Sequence, residues 1–173
     1  MTNRRTQRGL SMIEILVTLV IVAVGALGLA GMQLMALKFN KEASVRSIAT
    51  ELTVELTDRM RLNIAGVSAT KYDRSLGYTA ALSTAVADPG CGKTQDCTSN
   101  TLAQLDLHEW LDAIAAALPG GTGSVIPVAG NKSVYQLVVM WMEKSFLDSG
   151  GTDATCPTPR VVGVRCLSTT FTP

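Results

Sequence analysis

The sequence predicts an α+β protein, in which a long N-terminal α-helix, membrane-spanning in its first half, packs against a small antiparallel sheet with loops tied by disulfides. Three observations carry that prediction. Ile15 to Leu37 is a run of 23 residues without a charge. An amphipathic pattern continues the run to about Leu62, and the C-terminal third reads as one helix followed by short apolar strands. All four cysteines lie beyond the long helix.

The first nine residues carry Arg4, Arg5 and Arg8, no acid, and end in Gly9. At ~1.5 Å of rise per residue the charge-free run is about 35 Å long as a helix, enough to cross a hydrocarbon core of roughly 30 Å. A secretory signal would have an apolar part of roughly 7 to 15 residues ending in a small-x-small site. Ala26, Gly28 and Ala30 offer such a site, but the run is too long for it. An ordinary anchor has no use for Glu14, because a carboxylate costs ~2.5 to 3.5 kcal/mol near the centre of a span and less near its end. Glu14 therefore needs a partner or must reach the headgroup region.

Gly9-Leu10-Ser11-Met12-Ile13-Glu14-Ile15-Leu16-Val17 resembles the prepilin cleavage motif of type IV pilins and pseudopilins. The resemblance implies that residues 1–9 form a leader that a prepilin peptidase removes by cutting between Gly9 and Leu10 on the cytoplasmic side. The same enzyme would then methylate Leu10, a position where the family more often has phenylalanine. It also implies that Glu14 docks the subunit by pairing with the N-terminal amine of a neighbour. The spacing allows a second pairing, since residues four apart share a helix face and Glu14 lies one turn from the new ammonium of Leu10. The basic leader independently favours a cytoplasmic N-terminus, with the rest of the chain beyond the inner membrane.

Within the assembly half of the helix, residues 10–37, Gly25, Gly28 and Gly31 recur every three residues among Ala23, Ala26 and Ala30. Small residues let helices approach closely in a membrane, whereas each glycine costs roughly 1 kcal/mol in helix propensity. The expected result is a packing face that can also loosen. The outer half, residues 38–64, is amphipathic: Val45, Ile48, Ala49, Leu52, Leu56 and Met60 recur at spacings of three and four. Glu42 with Arg46 and Glu55 with Arg59 are acid-first i,i+4 pairs worth roughly 0.3 to 0.5 kcal/mol each. With no proline before Pro89, one helix is expected from Leu10 to about Leu62, near 80 Å long.

Arg46-Ser47-Ile48-Ala49 and Asp58-Arg59-Met60-Arg61-Leu62-Asn63 resemble stretches of PilV-type minor pilins, the type IV pilus modification proteins. Leu105 to Leu111, Leu118 to Gly123 and Tyr135 to Trp141 follow the same family's order. The resemblance implies the pilin fold and a minor subunit that helps prime or modify type IV pilus assembly. Its partners would be the prepilin peptidase, the other minor pilins and the major pilin through the N-terminal helix, and the inner-membrane assembly platform. A minor pseudopilin of type II secretion, or a tip-displayed adhesin or DNA-uptake subunit, are the alternatives. The implied location is the bacterial inner membrane as a single-pass protein, then the periplasm and pilus.

Residues 65–173 form an extracytoplasmic domain of ordinary size for a small domain. Ala65 to Asn100 reads as an irregular connector with short strands at most. Asp106 with Glu109 gives an N-terminal capping signal, and Leu107, Trp110, Leu111, Ile114 and Leu118 form one stripe before Pro119-Gly120-Gly121 stops the helix. Strands are expected over Ser124–Val128, Val134–Met142 and Val161–Leu167. Leu137, Val139 and Trp141 alternate with Val138, Met140 and Met142, so the middle strand is apolar on both faces and should be central and covered on both sides.

Four cysteines in an extracytoplasmic domain read as two disulfides with three possible connectivities. The local pairing, Cys91 with Cys97 and Cys156 with Cys166, is expected. Zinc is disfavoured because neither pair has C-x2-C spacing and the only histidine, His108, lies in a helix pattern. His108 is expected on the helix surface or as a satisfied core group. No phosphate-binding loop, dinucleotide fingerprint or metalloprotease motif is present, so neither a cofactor nor an enzymatic activity is expected. Removing three leader arginines from 15 basic and 14 acidic residues leaves 12 against 14, which gives no global drive toward nucleic acid. Lys71 with Arg74, or Arg160 with Arg165, offers at most a local basic patch, more simply a solvated surface.

Overall fold

The computed structural model describes residues 11–92, 95–129 and 131–173. The element order is α1 (Met12–Leu62), α2 (Ile64–Ser68), α3 (Tyr78–Ser83), α4 (Ser99–Ala117), β1 (Thr122–Val128), β2 (Asn131–Met142), α5 (Lys144–Asp148) and β3 (Val164–Phe171). Two compact units divide the chain after Ala43. The described residues of the first, from Ser11 to Ala43, lie almost wholly in α1; the second, Ser44–Pro173, holds the rest of that helix and every other element.

Within the second unit, α1 behaves as its binary pattern requires. Ala49, Leu52, Leu56 and Met60 are buried at the predicted spacing and join one core with Trp110, Ile114, Val125, Leu137 and Val139. Thr53 and Thr57 are buried on the same face. Each turns its hydroxyl back to a carbonyl of its own helix, Thr53 to Ala49 and Thr57 to Thr53, both at 2.8 Å, so neither leaves a stranded polar group. The acid-first pair Glu55–Arg59 forms at 2.7 Å.

The sheet is three-stranded and antiparallel in the order β1-β2-β3, with β2 central as expected. Its two faces belong to different cores. Tyr135, Leu137, Val139 and Trp141 point into the core shared with α1 and α4, whereas Val138 and Met140 meet Tyr78, Ala81, Cys156 and Val164 on the other side. The apolar residues on both faces of β2 are thus covered. α4 approaches β1 so closely that a Cβ at Gly123 would overlap the Trp110 ring, and the Trp110 indole donates to the Leu52 carbonyl of α1 at 2.8 Å. One side chain therefore joins three elements.

Several expectations are corrected. α4 begins at Ser99, not at Asp106: Thr98 is the N-cap, its hydroxyl accepting from the Thr101 amide. The segment expected to be an irregular connector folds into α2 and α3 and pairs Arg74 with Val125 as an isolated bridge. β1 starts two residues earlier than predicted and β3 three residues later, because Val161 and Val162 precede a turn at Gly163, whose φ is 80°. Arg74 and Arg165 are not the solvated surface side chains expected. Arg74 is buried, and Arg165 lies between Glu143 and Asp153 at 3.5 and 3.6 Å.

Candidate functional site

The predicted processing pair, Gly9 and Leu10, lies outside the described residues. The described chain begins at Ser11, whose carbonyl accepts the first helical bonds from Glu14 and Ile15 at 3.0 and 3.3 Å. Glu14 therefore sits in the first turn of α1, where the unpaired amides and the helix dipole favour an acid. From Ser11 to Lys41 every residue is exposed in its own unit, including Ile13, Leu16, Val20 and Leu27. The helix is long and apolar enough to cross a membrane, with a mean hydropathy of 2.6 in its most apolar window, none of it buried.

That surface makes no intramolecular demand on its sequence. A Cβ added at Gly25, Gly28 or Gly31 would meet nothing within 4 Å, so the chain's own packing does not require these glycines. Thr18 returns its hydroxyl to the Ile15 carbonyl at 2.8 Å, which leaves it compatible with an apolar medium. Chemically, the segment offers one carboxylate and otherwise an apolar cylinder: a surface suited to lipid and to other helices.

Both expected disulfides are present, Cys91–Cys97 and Cys156–Cys166, each with a Cα–Cα distance of 5.2 Å. Among the described residues there is no cluster of His, Cys, Asp or Glu that could hold a metal. His108 is a structural group: its Nδ1 lies 2.8 Å from the Val86 carbonyl and its Nε2 3.5 Å from Asp112. It ties α4 to the loop after α3.

A polar network inside the second unit was not anticipated from the sequence. Arg59 reaches Glu109 at 2.5 Å and Asp106 at 3.4 Å, and the Tyr72 hydroxyl donates to Asp106 at 2.5 Å. Asn63 donates to the Tyr72 oxygen at 3.1 Å and to the Ser99 carbonyl at 2.8 Å. Burial pushes the Tyr72 phenol above its ordinary range, and the Asp106 carboxylate adds to that. Burial opposes the charge on Arg59, but its bonds to Glu109 and Glu55 outweigh this and hold it protonated. A signal was available. Asp106 lies four residues before Trp110 and eight before Ile114, on the apolar stripe itself, where an acid must have a partner.

Arg74 has a different role from the solvated surface expected of it. Its side chain donates to the carbonyls of Gly123, Ala81 and Thr84 at 3.2, 2.8 and 2.6 Å. Burial lowers its pKa from the usual guanidinium value. It anchors α3 and the strand-like connector to β1.

Residues 4–30 match the family model described as the prokaryotic N-terminal methylation motif, and residues 31–108 match the one described as type IV pilin Tt1218. Over these residues the chain is type IV pilin-like, with a prepilin N-methylation motif. That motif implies processing by a prepilin peptidase and a pilus assembly context, and the pilin family is structural rather than catalytic. No curated protein and no solved structure matches the chain. The family matches end at His108, before the sheet and the second disulfide, which the structure alone describes.

Proposed function

We propose that this protein is a minor pilin of PilV type that helps prime or modify type IV pilus assembly and docks through its N-terminal helix. The observation that carries the reading is the contrast within α1. Met12 to Lys38 is an apolar helix with one acid in its first turn and no residue buried, and residues 4–30 match the N-terminal methylation motif. On this reading the prepilin peptidase cuts after Gly9 and methylates Leu10, and Glu14 pairs with the amine of a neighbouring subunit. The helix holds the protein in the inner membrane until it enters the filament, and the two disulfides tie loops of a domain displayed outside.

Intact-mass measurement of the mature chain tests the first step: a chain starting at Leu10 and one methyl group heavier is expected, and an unprocessed chain would overturn it. Glu14→Ala tests the second. Incorporation into filaments should fall at least ~10-fold, the effect of about 1.4 kcal/mol of lost pairing, with unchanged membrane insertion. Normal incorporation would reject the docking role. A deletion that leaves piliation intact but stops protein secretion would point to a pseudopilin instead.

A further inference from the structure

The second unit has two ends along α1, and its internal bonds locate them. Arg59 meets Asp106 and Glu109, and Trp110 meets the Leu52 carbonyl, so α4 runs antiparallel to α1 and finishes toward the start of this unit. The Tyr135 hydroxyl donates to the Val67 carbonyl at 3.3 Å, which sets the start of β2 beside α2, past the C-terminal end of α1. At Met142, ~23 Å further along the strand, the backbone amide donates to the Pro119 carbonyl just after α4 ends. Met142 therefore lies at the end of the unit where α1 enters.

Beyond Met142 the chain builds a surface at that end. α5 and the turn before β3 close on each other: the Glu143 amide donates to the Gly163 carbonyl at 2.9 Å, and a Cβ at Gly163 would overlap Leu147. Leu147 and Val162 are nonetheless 44 and 43% exposed. Lys144 lies one turn before Leu147 on α5, and both Lys144 and Arg160 are exposed. Arg160 donates to a neutral partner, the Ala154 carbonyl, at 3.1 Å. Glu143 and Asp153 are only part-exposed and face Arg165, which leaves Asp148 as the one exposed acid of residues 143–163. Arg46, where α1 enters, is exposed as well. Toward the other end the balance reverses among the described residues: Asp58, Asp73, Asp88, Asp96 and Glu109 are exposed, against Arg61 and Lys71.

On the reading of the apolar run as a membrane span, we propose that this end of the second unit docks on the headgroups of an anionic phospholipid membrane through Leu147, Val162, Lys144 and Arg160. Reach and charge select that occupant. Only six residues, Lys38 to Ala43, separate the charge-free run from the second unit. Even fully extended they reach roughly 20 Å, so a spanning chain keeps this end at the bilayer surface. Apolar side chains flanked by bases match the boundary between phosphates and acyl chains, whereas the acidic opposite end is repelled by the same surface. Lys38 and Lys41, on the connecting stretch, add the same sign. Docked in this way, the second unit stays on the membrane until its helix leaves the bilayer.

The experiment reconstitutes the full chain in phosphatidylcholine vesicles holding about one-third phosphatidylglycerol and a trace of lipid with a nitroxide on its headgroup. A fluorescent amino acid is placed at Val162, at Leu62 toward the opposite end, which is 88% exposed, or at Val24 in the span. Val162 should be quenched and Leu62 should not. Lys144→Glu with Arg160→Glu should lower the quenched fraction about tenfold with unchanged melting of the second unit. Raising the salt to about 0.5 M should lower it on the unaltered chain, an arm that needs no charge variant. A nitroxide on the acyl chain should quench Val24; if it does not, the spanning reading fails and this proposal with it. With Val24 quenched, three results would overturn the docking alone: Val162 quenched no more than Leu62, quenching indifferent to charge reversal and salt, or quenching that follows protein density instead of nitroxide lipid.

Discussion

α1 is one helix governed by two different sets of requirements. Over Met12 to Lys38 its residues are apolar on all sides and none is buried, whereas over Ala49 to Met60 apolar residues occupy one face and disappear into a core. The first stretch is long and apolar enough to cross a membrane, and Glu14 in its first turn is its only acid. The second is specified by the fold. Substitutions should therefore separate cleanly: those in the first stretch alter insertion or assembly without touching the stability of the second unit, and those in the second do the reverse.

The sharpest test is Trp110→Ala. Trp110 is fully buried, joins α4 to α1 through the Leu52 carbonyl and lies against Gly123 of β1, so its loss should cost ~3 to 5 kcal/mol. Chemical denaturation of the second unit should show that cost, and membrane insertion should not change. Next comes replacement of Cys156 and Cys166 by serine, which frees a loop of sequence separation 10 and should cost about 2 to 3 kcal/mol. Tyr72→Phe should cost ~1 to 3 kcal/mol, because it strips one partner from the buried Asp106 and another from Asn63.

The smallest effect is a pH dependence. Burial works against a charged Asp153, but hydrogen bonds from Thr155 and Cys166 and the nearby Arg165 outweigh it, holding its pKa below the ordinary 3.8. A carboxyl depressed on folding contributes stability that is fully present above its unfolded value and is lost as the pH falls through the lower folded value. Asp153→Asn should flatten the decline in stability below about pH 4, as measured by melting across an acid series. An unchanged slope would show that Asp153 is not responsible.

Much of this architecture was readable because burial leaves periodic traces. β2 announced a central position by being apolar on both faces, and the outer half of α1 by its spacing of three and four. Short elements leave no such trace: α2 and α3 have five and six residues, too few to show a period. The start of α4 was misplaced for a related reason. Ser99 to Gln104 contains few large apolar residues, and Asp106 with Glu109 imitates a capping pair while in fact binding Arg59. At the other end of the chain, Glu14 was conspicuous because a charge beside a long apolar run must find a partner or reach the headgroup region. The network of Arg59, Tyr72 and Asp106 stayed hidden because its members are separated by 34 and 47 residues.

The two disulfides close loops of sequence separation 6 and 10, and neither encloses any part of α1. When tension is applied along that helix, the cross-links do not carry it. Resistance comes from the helix's own hydrogen bonds and from sliding friction in the core around Ala49, Leu52, Leu56 and Met60, with the Trp110 indole as a peg. A reducing environment would therefore loosen the disulfide-tied loops while leaving this grip on the helix in place.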